Sequence, residues 1–97
     1  MPAYITLWKF TQQGLAKVKE SPNRVKAAKA TLEKMGGRMI GAWYTLGEYD
    51  LVTISEGPDD QTATLVTLGI AGQGNVTSMT LRAFSEEEFA AIVSKLP

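Results

Sequence analysis

Residues 38–56 read RMIGAWYTLGEYDLVTISE, and the fold turns on this stretch. Two runs rich in β-branched and aromatic residues, Arg38 to Leu46 and Leu51 to Glu56, flank Gly47-Glu48-Tyr49-Asp50. Glycine and acidic residues between two such runs are the chemistry of a hairpin connection, so the two strands are predicted to pair antiparallel. Upstream, Gly36-Gly37 stops a helix that starts at Ser21-Pro22, a cap and first-turn pair, and carries Val25, Ala28, Leu32 and Met35 on one stripe. Gln12 to Glu20 reads as a short helical lead-in, and Ala3 to Phe10 alternates with period two as the first strand. Downstream, Pro58-Asp59-Asp60 starts a second helix through Ala63, Val66 and Ile70, and Val76 to Arg82 is a fourth strand. Ser85 with Glu88 makes a capping box, with Phe84 and Phe89 placed as a hydrophobic staple, for a C-terminal helix along Ile92, Val93 and Leu96.

The order βαββαβ plus a last helix predicts one α+β domain over residues 1–97, a ferredoxin-like sandwich with both long helices on one face of an antiparallel sheet. Alternation divides the strands into two sets of side chains. The more apolar set, Ile5, Leu7, Val52, Ile54, Met79 and Leu81, is expected under the helices. Tyr4, Thr6, Trp8, Phe10, Thr53, Ser55, Ser78, Thr80 and Arg82, joined by Tyr44, are then expected on the bare face. A face of rings and hydroxyls suits sheet-to-sheet dimerisation around a lined cavity.

Composition narrows the chemistry. Ten basic and ten acidic residues balance, with no basic run, which argues against nucleic acid as a partner. The chain has no cysteine and no histidine. That removes disulfides, thiolate and imidazole catalysis, and the common transition-metal sites, and no cofactor or metal is implied. No segment has the pattern of a signal peptide or the length of a membrane span, so a cytoplasmic location without membrane association is the default expectation. A chain of 97 residues buries a modest share of its surface, which makes self-association an expectation as well.

The Gly47-Glu48-Tyr49-Asp50 tract resembles the signature of the GYD-domain family of small bacterial and archaeal proteins. Tyr4-Ile5-Thr6-Leu7, Lys9-Phe10-Thr11, Gly74-Asn75-Val76-Thr77 and Leu81-Arg82-Ala83-Phe84, leading into Glu86-Glu87-Glu88-Phe89, extend the resemblance along essentially the whole chain. It implies the dimeric α+β-barrel variety of the ferredoxin-like fold, and it carries no reaction.

Two groups of residues stand out as candidate sites. Glu48, Tyr49 and Asp50 bring two carboxylates and a phenol into one loop, which serves either acid/base or cation chemistry or simply the turn itself. Tyr4, Thr6, Trp8, Tyr44, Thr53, Thr80 and Arg82 offer rings for stacking, hydroxyls for hydrogen bonds and one guanidinium for charge, suited to a planar or anionic small molecule or to a dimer interface. Gly69, Gly72 and Gly74 follow a helix rather than precede one, so they read as helix termination and not as a phosphate loop. Three functions compete: a small-molecule binding or assembly module, a cofactor-free oxygenase or isomerase with a pocket on the sheet face, and a purely structural oligomer.

Overall fold

The computed structural model describes residues 1–97. Strand β1 (Ala3–Phe10) leads through a short helix α1 (Gln12–Ala16) and a 3-10 turn (Val18–Glu20) into α2 (Ser21–Lys34). The hairpin β2 (Arg38–Tyr44) and β3 (Leu51–Glu56) follows, then α3 (Asp60–Ala71), β4 (Val76–Ala83) and α4 (Glu86–Val93). All pairings are antiparallel and the strand order is β2-β3-β1-β4, the split βαβ arrangement of the ferredoxin-like fold.

Local chemistry accounts for the boundaries. Asp59 caps α3 by accepting the Thr62 backbone N–H at 2.7 Å, and that bond holds its carboxyl below the usual range. The Ser85–Glu88 capping box starts α4 with both reciprocal bonds in place, and the Ser85 backbone N–H likewise lowers the Glu88 carboxyl. Ser21 departs from its expected capping role. It sits inside α2, with Pro22 behind it, and its hydroxyl lies 2.9 Å from the Tyr44 phenol. Gly36 ends α2 at φ 88°, a conformation that only glycine adopts readily. At Gly14 the reason is space: a Cβ would sit 2.0 Å from the Asn75 carbonyl oxygen, so the residue lets α1 close against the start of β4.

The two faces of the sheet are reversed relative to the expectation from hydropathy. Tyr4, Thr6 and Trp8 lie beneath α2 and α3, only 4%, 4% and 7% exposed, whereas Met79 and Leu81 are 49% and 45% exposed on the open side. Registry carries the reversal across the sheet. Ile5 is level with Ile54 and Leu81, and Leu7 with Val52 and Met79, all on the open face. Thr6 is level with Thr53 and Thr80, and Tyr4 with Ser55 and Arg82, on the helix side, as are Phe10 and Ser78. Tyr44, level with Leu51, is also on the helix side, where it meets Ser21.

The polar set can turn inward because its members satisfy one another. Trp8 Nε1–H donates to Thr53 Oγ1 at 2.9 Å, Thr6 and Thr80 hydroxyls pair across β1 and β4 at 3.2 Å, and the Tyr4 phenol donates to Asp60 at 2.5 Å. Buried polar groups that are paired carry little penalty, so a column of hydroxyls and rings is an acceptable interior.

Candidate functional site

Three surfaces of the molecule have the chemistry to bind something. The first is a cleft of about 460 Å³ between the sheet and the helices α2 and α3. Trp8, Phe10, Leu51 and Val76 form its floor, and Val25, Ala28, Val66 and Ile70 its helical walls. Trp8, Leu51 and Val76 are also the buried hydrophobic cluster of the chain, with Phe10, Val25, Ala42 and Ile70 packed against it. All of this core but Ala42 is therefore cleft lining rather than solid packing. Arg24 is the one charged residue among those that line it.

The second surface is an open groove at the β4 edge, lined by Tyr4, Asp60, Thr64, Thr67, Thr80 and Arg82. Arg82 lies 3.9 Å from the Asp60 carboxylate and stacks its guanidinium over the Tyr4 and Phe84 rings, 5.8 and 4.7 Å from their centroids. Burial, reinforced by the bond to Asp60, pushes the Tyr4 phenol up to about 12. Near neutral pH it is a hydrogen-bond donor and not a base.

Of the residues singled out from the sequence, Tyr4, Thr80 and Arg82 gather at this groove, and Trp8 and Thr53 at the cleft. Thr6 lies between the two, and Tyr44 stands apart at the β2 edge. They are divided between two neighbouring hollows on the helix side of the sheet, whereas they were expected together on its bare face. Asp60 and Arg24 were not singled out. Arg24 was nonetheless legible, because with Ala28, Thr31 and Met35 it continues one helical stripe in α2.

In the Glu48-Tyr49-Asp50 loop the Asp50 side chain is bonded to the backbone, and the Tyr49 hydroxyl lies 4.0 Å from Met79 Sδ. Asp50 accepts the Phe10 backbone N–H at 2.9 Å, its own N–H donates to the Trp8 carbonyl at 2.8 Å, and the Thr45 hydroxyl bonds to the Tyr49 carbonyl at 2.6 Å. Gly47 holds φ 109° at the head of the loop. Asp50 thereby ties the hairpin to the end of β1, which is the turn role. No group of three or more acidic, histidine or cysteine side chains is placed to hold a metal ion.

The third surface is the open face of the sheet. Ile5, Leu7, Val52, Ile54, Met79 and Leu81 form its centre, and Trp43, 53% exposed, joins them from β2 by lying over Gly41. A Cβ at Gly41 would come within 2.4 Å of the Trp43 ring, so glycine is what lets the indole lie along its strand. Charge is confined to the margins, with Lys9 at one end of β1 and the Arg38–Glu56 pair, 3.4 Å apart, at the opposite end of the hairpin. The C-terminal helix adds more unpartnered apolar surface. None of its residues is buried, Phe89 and Ile92 are exposed, and the molecule stretches to 53 × 31 × 19 Å.

Comparison with known proteins agrees with this architecture. The chain is 33% identical over 92 residues to the glutamine synthetase and cystathionine beta-lyase binding protein of Thermus thermophilus, an alignment covering 94% of this chain and 97% of that protein. The crystal structure of TTHA0845, also from Thermus thermophilus, superposes with a TM-score of 0.54 at 24% identity, covering 88% of this chain and 95% of that one, a likeness of fold. No helix is long and apolar enough to cross a membrane. The GYD domain model matches residues 4–93, and with the strand order and hairpin described above it places this chain in the GYD-domain family.

Proposed function

We propose that this protein is a binding module that assembles with a second copy of itself through the open face of its sheet and engages protein partners as that assembly. The observation that carries the reading is the uncharged apolar centre of that face, running unbroken across all four strands from Trp43 to Leu81. A second copy is the occupant that fits. Two such faces related by a two-fold axis bring apolar centre to apolar centre and leave the charged margins at the rim, with no like charges buried. The chain also has cause to pair, because only ten of its 97 residues are buried. The relative's name, a binding protein for two enzymes, supports protein partners as the business of such an assembly.

Leu81→Asp tests the reading by placing a carboxylate within the apolar surface of the face, on its β4 side. In sedimentation and native mass spectrometry the wild-type chain is expected as a dimer or larger symmetric species, and the variant as a folded monomer. A wild-type monomer, or a Leu81→Asp protein with unchanged assembly, would contradict it.

A second reading concerns the cleft. Its volume falls within the range of about 300–1,000 Å³ typical of small-molecule sites, and its largely apolar lining with a few polar groups is the usual composition of one. A small molecule seated behind the sheet would be bound within each copy, independently of how the copies pair.

A further inference from the structure

We propose that the cleft takes an amphipathic carboxylate, a molecule with an apolar chain or ring and a single anionic head, and that Arg24 is the residue that recognises the head. The proposal rests on the small-molecule reading of the cleft and names the ligand class for it.

Arg24 decides the ligand's head. Its Nη2 is sealed from solvent and has no hydrogen-bond partner, the single buried side-chain nitrogen or oxygen in the molecule of which this is true. A buried donor on a charged group without an acceptor is costly, and chains do not keep one without cause. The rest of the guanidinium is already held in place. Nη1 donates to the Lys17 carbonyl at 3.3 Å and lies 3.5 Å from the Glu20 carboxylate. Glu20 itself is two-thirds exposed, so it pairs with Arg24 weakly and from the water side, and no acidic residue lines the cleft itself. Among the 19 residues that line the cleft, Arg24 carries the one formal charge.

The remaining surface decides the ligand's body. Trp8, Phe10, Val66 and Ile70 present rings and branched chains, and of the hydroxyls nearby Thr53 is bonded to the Trp8 indole and Ser21 to Tyr44, which leaves Thr31 and the Gln73 and Asn75 amides as the few polar groups of the lining. A polyhydroxylated or multiply charged ligand would be stripped of water with little to replace it. An apolar body loses nothing by entering, and one carboxylate gives the guanidinium a charge-assisted bond once a turn of the Arg24 side chain brings its sealed Nη2 to the cleft.

Octanoate and octanol share an apolar chain and differ in the head, so calorimetric titration of the full chain with each reads the head alone. Octanoate is expected to bind about tenfold or more tightly than octanol, the worth of a hydrogen bond to a charged group. Arg24→Met is expected to lower octanoate to the level of octanol and to leave octanol unchanged. Gly69→Leu narrows the cleft by adding a branched chain to its lining at a position where a Cβ has room, and is expected to weaken both while preserving the helix. Equal affinities for octanoate and octanol in the wild-type chain, a comparison that needs no variant to fold, would overturn the ligand class while leaving the cleft as a site. So would an octanoate preference that survives in Arg24→Met. Binding of neither compound, or binding of both undiminished in Gly69→Leu, would overturn the cleft itself.

Discussion

The two faces of one sheet divide the work of this molecule in an unexpected way. The helix-covered face carries phenol, indole, hydroxyls and a guanidinium, whereas the open face carries isoleucine, leucine, valine, methionine and tryptophan. Buried polar side chains need partners, and here they find them across neighbouring strands and from α3. Exposed apolar side chains need cover, and within one chain they find none. The lesson is that the more apolar face of a sheet need not be the interior of its own chain, which is what the proposed pairing of copies would account for.

The comparison breaks most sharply at its two tryptophans. Trp8→Ala removes a buried ring from the helix side and is expected to cost roughly 3–5 kcal/mol of folding stability, as large aromatic truncations in cores do. Trp43→Ala is expected to leave the stability of the isolated chain nearly unchanged and to weaken assembly by about 2 kcal/mol or more, roughly 30-fold in dissociation constant. Chemical denaturation of each variant, with sedimentation at matched concentrations, separates the two effects. If Trp43→Ala lowers the folding stability of the chain by as much as Trp8→Ala while leaving assembly intact, the faces have been assigned the wrong way round.

A smaller effect is expected at the hydroxyl that pairs with the indole. Thr53→Val keeps the shape and leaves the Trp8 N–H without its acceptor, which is expected to cost about 1–3 kcal/mol in the same denaturation measurement. A neutral outcome would mean that the polar interior is not held by its internal bonds.

The smallest effect is a dependence on pH. The Tyr4 phenol titrates near 12 in the folded chain against an ordinary value of 10. Its contribution to stability is therefore complete below pH 10 and lost as the pH rises from there toward 12, because the unfolded chain gives up that proton first. Tyr4→Phe is expected to remove this part of the alkaline decline, measured by denaturation at a series of pH values. An identical decline in the variant would show that Tyr4 does not carry it.

Most of the architecture was legible in the sequence. Turn chemistry around Gly47, the stop at Gly36 and the capping box at Ser85 are local signals, and local signals place elements well, so the strands and helices lie close to their expected limits. Strand β2 ends two residues earlier than expected, at Tyr44, where Thr45 turns to bond with Asp50 and Tyr49. The orientation of the sheet was not legible. Alternation tells which side chains share a face, but not which face the helices cover, and hydropathy alone points to the apolar one. The bonds that make the other face habitable join Trp8 to Thr53, Thr6 to Thr80 and Tyr4 to Asp60, residues tens of positions apart. Trp43 was hidden for a further reason, since the irregularity between Met39 and Gly41 shifts the register and breaks the alternation along β2.

The most direct test of the account is the fluorescence of Trp43 as the sole tryptophan, in a Trp8→Phe background, with and without Leu81→Asp. A blue-shifted emission is expected in the assembled chain, from an indole covered by the second copy, and it is expected to move to the red of a water-exposed indole once Leu81→Asp separates the copies. The same water-exposed emission in both proteins would contradict it, because the apolar face would then be bare in solution.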